Sequence, residues 1–278
     1  MPTIDQPADE MAPGRARVEE ILRSCGSVVV ACSGGVDSIL VAAVAAKVLG
    51  PRALAATAVS PSLASGELAD AQAAAAAAGI RHVEVATTEL EVPGYAANGA
   101  DRCYHCKATA YAAFHALAAR EGMAVVVDGA NADDAGDYRP GRRAAGEQNV
   151  RSPLAEAGLG KTEIRAWAHD LGLNVWDKPA AACLSSRIPY GSPVTIDKLA
   201  RIDRAEAALK ACGFATCRVR DHGNVARLEI PLDRIADLLA VRATVVDVLK
   251  SAGYAYVALD LEGFRSGSMN ETLLAGEV

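Results

Sequence analysis

Residues 27–40 run Ser-Val-Val-Val-Ala-Cys-Ser-Gly-Gly-Val-Asp-Ser-Ile-Leu, an apolar β-branched stretch that breaks at Ser33-Gly34-Gly35-Val36-Asp37-Ser38 and then enters an apolar helix. A buried strand, a tight turn and a helix in that order commit the chain to an α/β layer architecture. Two glycines let the backbone turn sharply and approach a ligand closely, and the hydroxyls of Ser33 and Ser38 join the free amides of a helix start. The expected ligand is a phosphate or pyrophosphate. Neither the Gly-x-x-x-x-Gly-Lys of a Walker loop nor the Gly-x-Gly-x-x-Gly of a dinucleotide fold is present.

Further strands are expected at 54–59, 82–85 and 124–128, alternating with helices over 37–49, 65–78 and 104–121. That alternation predicts a doubly wound, mostly parallel sheet with helices on both faces and ligands outside the carboxyl ends of its strands. Asp128-Gly129-Ala130-Asn131-Ala132-Asp133-Asp134 follows the fourth strand. Its placement suits backbone contact with a nucleotide through Gly129 and Mg²⁺ binding through Asp133 or Asp134. Residues 135–160, rich in Gly, Arg and Pro, read as a long loop offering Arg139, Arg142, Arg143 and Arg151 to anions. A helix over 161–171 stops at Gly172, and prolines and a glycine around Ile188-Pro189-Tyr190-Gly191 mark a domain boundary.

The expected organisation is a disordered tail over 1–15, a nucleotide-binding domain over 16–188 and a small α+β domain over 189–278. The last has a helix over 196–212, strands at 216–221 and 226–230, a helix over 232–251 with a possible break, and a strand at 254–261, in a two-to-three-stranded antiparallel sheet. The tail carries Asp5, Asp9 and Glu10 with no apolar core of a signal peptide, and no apolar run is long enough to span a bilayer, so a soluble cytoplasmic protein is expected. A net charge of −6 without a lysine-rich block weighs against a dedicated nucleic-acid binder and favours a small-molecule substrate.

Seven cysteines without an export signal argue against a disulfide framework. Cys103-Tyr104-His105-Cys106 stands at a helix start, where residues three apart share a face and the dipole lowers thiol pKa. Four readings of this pair stay open: a redox couple, half a zinc site, half an iron-sulfur site, or packed thiols. Cys183, beside Ser185, Ser186 and Arg187 in a Pro-bounded loop, is the outstanding third thiol. Cys25, Cys32, Cys212 and Cys217 read as packing residues. Three cysteines leave one iron of a cubane cluster open to an exogenous sulfide.

The Ser33–Ser38 loop resembles the PP-loop of ATP pyrophosphatases. Taken with Asp101-Arg102-Cys103-Tyr104-His105-Cys106-Lys107, Ser152-Pro153-Leu154-Ala155-Glu156, Trp176-Asp177-Lys178-Pro179, Ala182–Arg187 and Arg218–Gly223, the chain resembles the LarE-type ATP-dependent sulfur transferases over about residues 16–270. These serve synthesis of the nickel-pincer nucleotide of lactate racemase. The resemblance implies adenylation of a carboxylate on a pyridinium biscarboxylate mononucleotide, pyrophosphate release and sulfur attack. It implies an ATP and Mg²⁺ site at Ser33, Gly34, Gly35, Val36, Asp37 and Ser38 with Ser60 and Gly129, in which Asp37 and Ser38 take part in catalysis with Cys183. It also implies a substrate-phosphate site at Arg218, Arg220, Ser186 and Arg187, with Glu206 and Glu229 more loosely matched to acidic positions nearby. Family members that sacrifice a cysteine use the position of Cys183; the addition of Cys103 and Cys106 resembles the variant whose three cysteines ligate a 4Fe-4S cluster. A homo-oligomer and handover of product to a nickel-inserting enzyme are implied as well.

Rival expectations are a PP-loop tRNA thiolase, disfavoured by the negative charge; an amidotransferring synthetase, which lacks its glutaminase domain and leaves Cys183 unexplained; and a nucleotide sensor without chemistry, disfavoured by Asp37 and the acid pair.

Overall fold

The computed structural model describes residues 12–136, 140–179, 182–265 and 269. In chain order the helices are α1 (Ala12–Cys25), α2 (Val36–Leu49), α3 (Glu67–Ala77), α4 (Pro93–Ala96), α5 (Arg102–Glu121), α6 (Pro140–Glu147), α7 (Pro153–Glu156), α8 (Lys161–Asp170), α9 (Ile196–Ala211), α10 (Ile235–Ala240) and α11 (Arg242–Ser251). The strands are β1 (Val28–Ala31), β2 (Ala53–Val59), β3 (Arg81–Ala86), β4 (Val125–Val127), β5 (Arg218–His222), β6 (Val225–Glu229) and β7 (Tyr256–Leu259). The chain divides into two units, the first within 1–60, 66–89 and 103–181 and the second within 61–65, 90–102 and 182–278.

In the first unit a four-stranded parallel sheet has the order β3-β2-β1-β4, with Val28 in register with both Ala53 and Val125. Val28, Val29 and Val30 of the central strand are fully buried. Because successive strand side chains point to opposite faces, Val28 and Val30 pack with Ile39, Leu40, Ile164 and Trp167, whereas Val29 packs with Tyr111, Phe114 and Leu117. Helices α2 and α8 thus cover one face and α5 the other, the doubly wound α/β arrangement the sequence predicts. Burying a valine contributes roughly 1.5–3 kcal/mol, against roughly 0.5–1.5 for a net hydrogen bond, so the strand anchors the loop at its end more firmly than any one bond within the loop.

The second unit holds a three-stranded sheet, β5-β6-β7, over a core that includes Leu209, Phe214, Val219, Leu228, Val245 and Leu249. Strands β5 and β6 form an antiparallel hairpin across Gly223 and Asn224, where Gly223 takes the left-handed φ of 70° that such a turn requires.

Four expectations are corrected. The sheet of the second unit is mixed, because β7 pairs parallel to β6: α10 and α11 form a crossover that brings the chain back to the end of the sheet where β6 began. The proposed tail over 1–15 overlaps α1, which starts at Ala12 and buries Val18, Ile21, Leu22 and Cys25 at helical spacing; residues 1–11 lie outside the described residues. The stretch 135–160 contains α6 and α7, each opening on a proline, whose fixed φ suits a first helical turn. Finally, residues 182–188, placed by sequence before the domain boundary, belong to the second unit together with 61–65 and 90–102.

Candidate active site

The loop after β1 is built almost wholly from its own backbone. Cys32 N still donates to Ala56 O at 2.8 Å, and helix α2 then begins at Val36 with Gly35 before it and no side chain capping its first turn. The first-turn amides are therefore open to an anion. Gly34 has φ of 74°, and a Cβ there would lie 3.1 Å from Ala71 Cβ, so both conformation and space call for glycine. Ser38 Oγ donates to Gly35 O at 3.0 Å, accepts from Ser33 N at 3.2 Å and lies 3.3 Å from Ser33 Oγ. The two serines brace the loop against each other.

Asp37 stands at the mouth of this loop. One carboxylate oxygen pairs with Lys161 Nζ, while Oδ1 is buried with no hydrogen-bond partner among the described residues. A magnesium ion on nucleotide phosphates takes one or two protein carboxylates and completes its shell with phosphate and water, and the orphaned Oδ1 fits that demand. Asp133 and Asp134 fit it less well, because each already has one oxygen engaged by a backbone amide: Asp133 Oδ2 accepts from Lys161 N at 2.7 Å, and Asp134 Oδ2 accepts from Asn131 N at 3.0 Å. Among the described residues no group of three or more His, Cys, Asp or Glu side chains is gathered as a metal site.

Gly129 is in close contact with the helix start. A Cβ on it would come within 2.7 Å of Ser38 N and 3.0 Å of the Asp37 carbonyl carbon, so the backbone after β4 packs directly on the loop. The preceding Asp128 is buried and accepts from Tyr111 Oη at 2.6 Å, Ser152 Oγ at 2.7 Å and Ala130 N at 3.1 Å. Burial, with the Asp128 charge beside it, raises the Tyr111 phenol well above its usual range, so it stays a donor. Ser60, just beyond β2, donates to the buried carboxylate of Glu89.

Lys161 is the residue that sequence reasoning passed over. A lysine in the first turn of a helix lies at the wrong end of the helix dipole, which was the available signal; here Asp37 offsets it, and a cation stands beside a loop that has no lysine of its own. The expected loop arginines differ from it. Arg151 is paired with Glu156, Arg143 lies 3.5 Å from Glu147 and over the Tyr104 ring, and Arg139 falls outside the described residues.

The seven thiols sort by exposure. Cys103 is exposed and Cys106 half-buried on the first turn of α5, and Cys183 is exposed. Burial raises the thiols of Cys25 and Cys32 and pushes Cys217 up to about 12, which keeps these three protonated; Cys212, at the end of α9, is half-buried.

In the second unit Cys183 leads into a single 3₁₀ turn, Leu184–Arg187. Arg187 makes a bidentate pair with Glu206 at 2.9 and 3.0 Å, both side chains being 3 % exposed, and its Nη1 donates to Ala182 O and Cys183 O. Ser186 Oγ donates to Cys183 O at 2.8 Å. Arg220 is likewise held by Glu229, and donates to Ser186 O at 2.8 Å. The guanidinium groups of Arg187 and Arg220 are thus engaged in holding the turn. Arg218 has no carboxylate within ion-pair distance among the described residues; burial, with the Arg187 charge nearby, pulls its guanidinium below the usual range. Of the three arginines, Arg218 alone is without a carboxylate partner among the described residues; its Nη1 donates to Cys217 O at 2.8 Å and its guanidinium lies over the Phe264 ring.

A family model described as asparagine synthase matches residues 15–170. An uncharacterized protein of Synechocystis is 48% identical over 246 residues, 88% of this chain and 92% of that protein. The pyridinium-3,5-bisthiocarboxylic acid mononucleotide synthase of Lactiplantibacillus plantarum is 39% identical over 269 residues, 96% of this chain and 98% of the synthase. An uncharacterized protein of Methanocaldococcus jannaschii is 32% identical over 169 residues, covering 61% of this chain and 66% of the archaeal protein. No described helix is long and apolar enough to cross a membrane.

Proposed function

The chain belongs to the LarE-type ATP-dependent sulfur transferases, with a PP-loop region of the asparagine synthase family, and on that premise we propose that it inserts sulfur into a carboxylate of pyridinium-3,5-biscarboxylate mononucleotide. The observation that carries the reading is the pairing of an uncapped anion loop at Ser33–Ser38 with exposed thiols elsewhere in the chain. A carboxylate resists nucleophiles until one oxygen becomes a leaving group. Its oxygen attacks the α-phosphate of ATP, pyrophosphate departs, and the acyl adenylate then loses AMP to sulfide, giving a thiocarboxylate. The amides of Val36, Asp37 and Ser38 and the ammonium of Lys161 stabilise charge on the departing pyrophosphate; Asp37 Oδ1 would hold a Mg²⁺ ion, which would neutralise further phosphate charge. Ser60 and Gly129 border the nucleotide. Arg218 takes the substrate phosphate, while Arg220, Arg187 and Ser186 shape the turn beside it.

Cys103, Cys106 and Cys183 are the proposed ligands of a 4Fe-4S cluster, and their accessibility against the buried, protonated Cys25, Cys32 and Cys217 supports that choice. Such a cluster would supply a sulfide at its open iron. The product is consumed by a nickel-inserting enzyme, and the protein works as a homo-oligomer in the cytoplasm.

Two measurements test this. Pyrophosphate release should depend on the biscarboxylate mononucleotide, and release without any carboxylate dependence would refute adenylation. Protein purified anaerobically should carry iron and acid-labile sulfide with a visible absorption band, both lost in Cys103→Ala and Cys183→Ala. A colourless protein that loses one sulfur mass at Cys183 per turnover would overturn the cluster and assign sacrifice of that cysteine.

A further inference from the structure

The exposed Cys183 is followed by a turn tied to two distant segments of its own unit. Leu184 N donates to Ser62 O at 2.9 Å. Next along the chain, Ser185 Oγ lies 2.5 Å from the Tyr95 hydroxyl, which in turn lies 2.6 Å from Ser62 Oγ. Tyr95 is 1 % exposed, and Ser62 and Ser185 are buried with it. Arg102 Nη1 donates to Ser185 O at 2.9 Å and to Asn98 Oδ1 at 2.6 Å, and Asn98 Nδ2 reaches Pro189 O and Ser192 O at 2.7 and 2.8 Å.

Burying a chain of three hydroxyls costs more than an apolar filling of the same shape unless each is satisfied. Consecutive residues of the turn are thereby joined to the same two partners, Leu184 through the Ser62 carbonyl and Ser185 through the Tyr95 hydroxyl, which Ser62 Oγ also contacts. From these contacts we propose that Tyr95 is a positioning residue: through Ser185 and Ser62 it sets the place of the Cys183 thiol for sulfur transfer. The proposal rests on the reading of Cys183 as a sulfur-handling thiol. Chemistry at an exposed thiol is sensitive to misplacement, since an error of about 1 Å can cost on the order of 100-fold in rate.

The test is Tyr95→Phe, which removes the shared hydroxyl and keeps the ring, with Ser185→Ala as the second variant. Iodoacetamide alkylation of full-length protein isolated in air and shown to be free of iron, followed by peptide mass spectrometry, gives the rate at Cys183 relative to Cys103. Pyrophosphate release and thiocarboxylate formation are measured on the same variants, purified anaerobically. Tyr95→Phe should shift the Cys183-to-Cys103 ratio by about threefold or more and lower thiocarboxylate formation by on the order of 10-fold, while pyrophosphate release stays within about twofold. Ser185→Ala should reproduce that split. An unchanged alkylation ratio in both variants, or equal loss in the two half-reactions, overturns the positioning role. A shifted ratio in a protein whose wild type forms no thiocarboxylate would sink the sulfur-transfer reading and leave the positioning of Cys183 standing.

Discussion

The loop at Ser33–Ser38 and the turn after Cys183 are both short and both rich in polar residues, yet they are held in opposite ways. The backbone of the first is braced by bonds between residues at most five apart, such as Ser33 N to Ser38 Oγ, with Lys161 joining only through the Asp37 side chain, and its binding groups are backbone amides that follow from a strand running into a helix. The second is held by Ser62, Tyr95, Arg102 and Glu206, which come from other parts of the sequence. An anion site made of amides needs only correct local geometry. A thiol on a single 3₁₀ turn has no such local frame, and side chains from elsewhere must supply one.

The largest expected effect tests that dependence. Glu206→Ala leaves Arg187 buried without its carboxylate, which should destabilise the protein by about 3–5 kcal/mol in denaturant unfolding. Because Glu206 Oε1 also accepts from Val219 N at 3.0 Å, the loss extends into β5. A loss under about 1 kcal/mol would mean that the turn supports itself, and the contrast with the anion loop would collapse. Of intermediate size, Gly129→Ala forces a Cβ to within 2.7 Å of Ser38 N. Backbone must then shift, at about 1–3 kcal/mol, and pyrophosphate release should fall while alkylation of Cys183 does not change. Full retention of release would show that the loop tolerates displacement.

The smallest effect sharpens the division among thiols. At pH 8, in protein shown to be free of iron, iodoacetamide should modify Cys103 and Cys183 and spare Cys25, Cys32 and Cys217, as read by peptide mass. Cys217 also makes a pH-dependent contribution to stability. Its folded-state pKa, pushed up to about 12, exceeds the ordinary thiol value of 9.0, so the folded state holds its proton longer than the unfolded one. That contribution is intact below about 9 and declines as pH rises toward 12. Cys217→Ala should flatten this part of the alkaline unfolding profile; an unchanged slope would reassign the decline to other groups.

Much of the first unit was legible. Val28-Val29-Val30, the alternation that follows and Gly34-Gly35 together state a parallel sheet with a loop at its carboxyl end, since each signal is carried by adjacent residues. The missed elements depend on context. Pro140 and Pro153 look like loop punctuation until Ala144, Ala145 and Leu154 are seen buried, when each proline becomes a helix start. The α1 stripe of Val18, Ile21, Leu22 and Cys25 was hidden behind a polar, Pro-containing beginning. The direction of β7 depended on the crossover through α10 and α11, which no strand pattern reports.

By itself, the sequence determined the layer architecture, the strand-loop-helix at Ser33–Ser38 and the set of thiols from which the proposed sulfur chemistry draws, because strand periodicity, glycine placement and cysteine spacing act over a few residues. Only the tertiary structure decided that Lys161 stands beside Asp37, 124 positions away, and that Arg187 and Arg220 are engaged with glutamates while Arg218 is not. It also decided that Tyr95 reaches the turn after Cys183. Buried charges and hydroxyls must find partners within hydrogen-bond distance, and the identity of the partner is set by folding rather than by sequence separation.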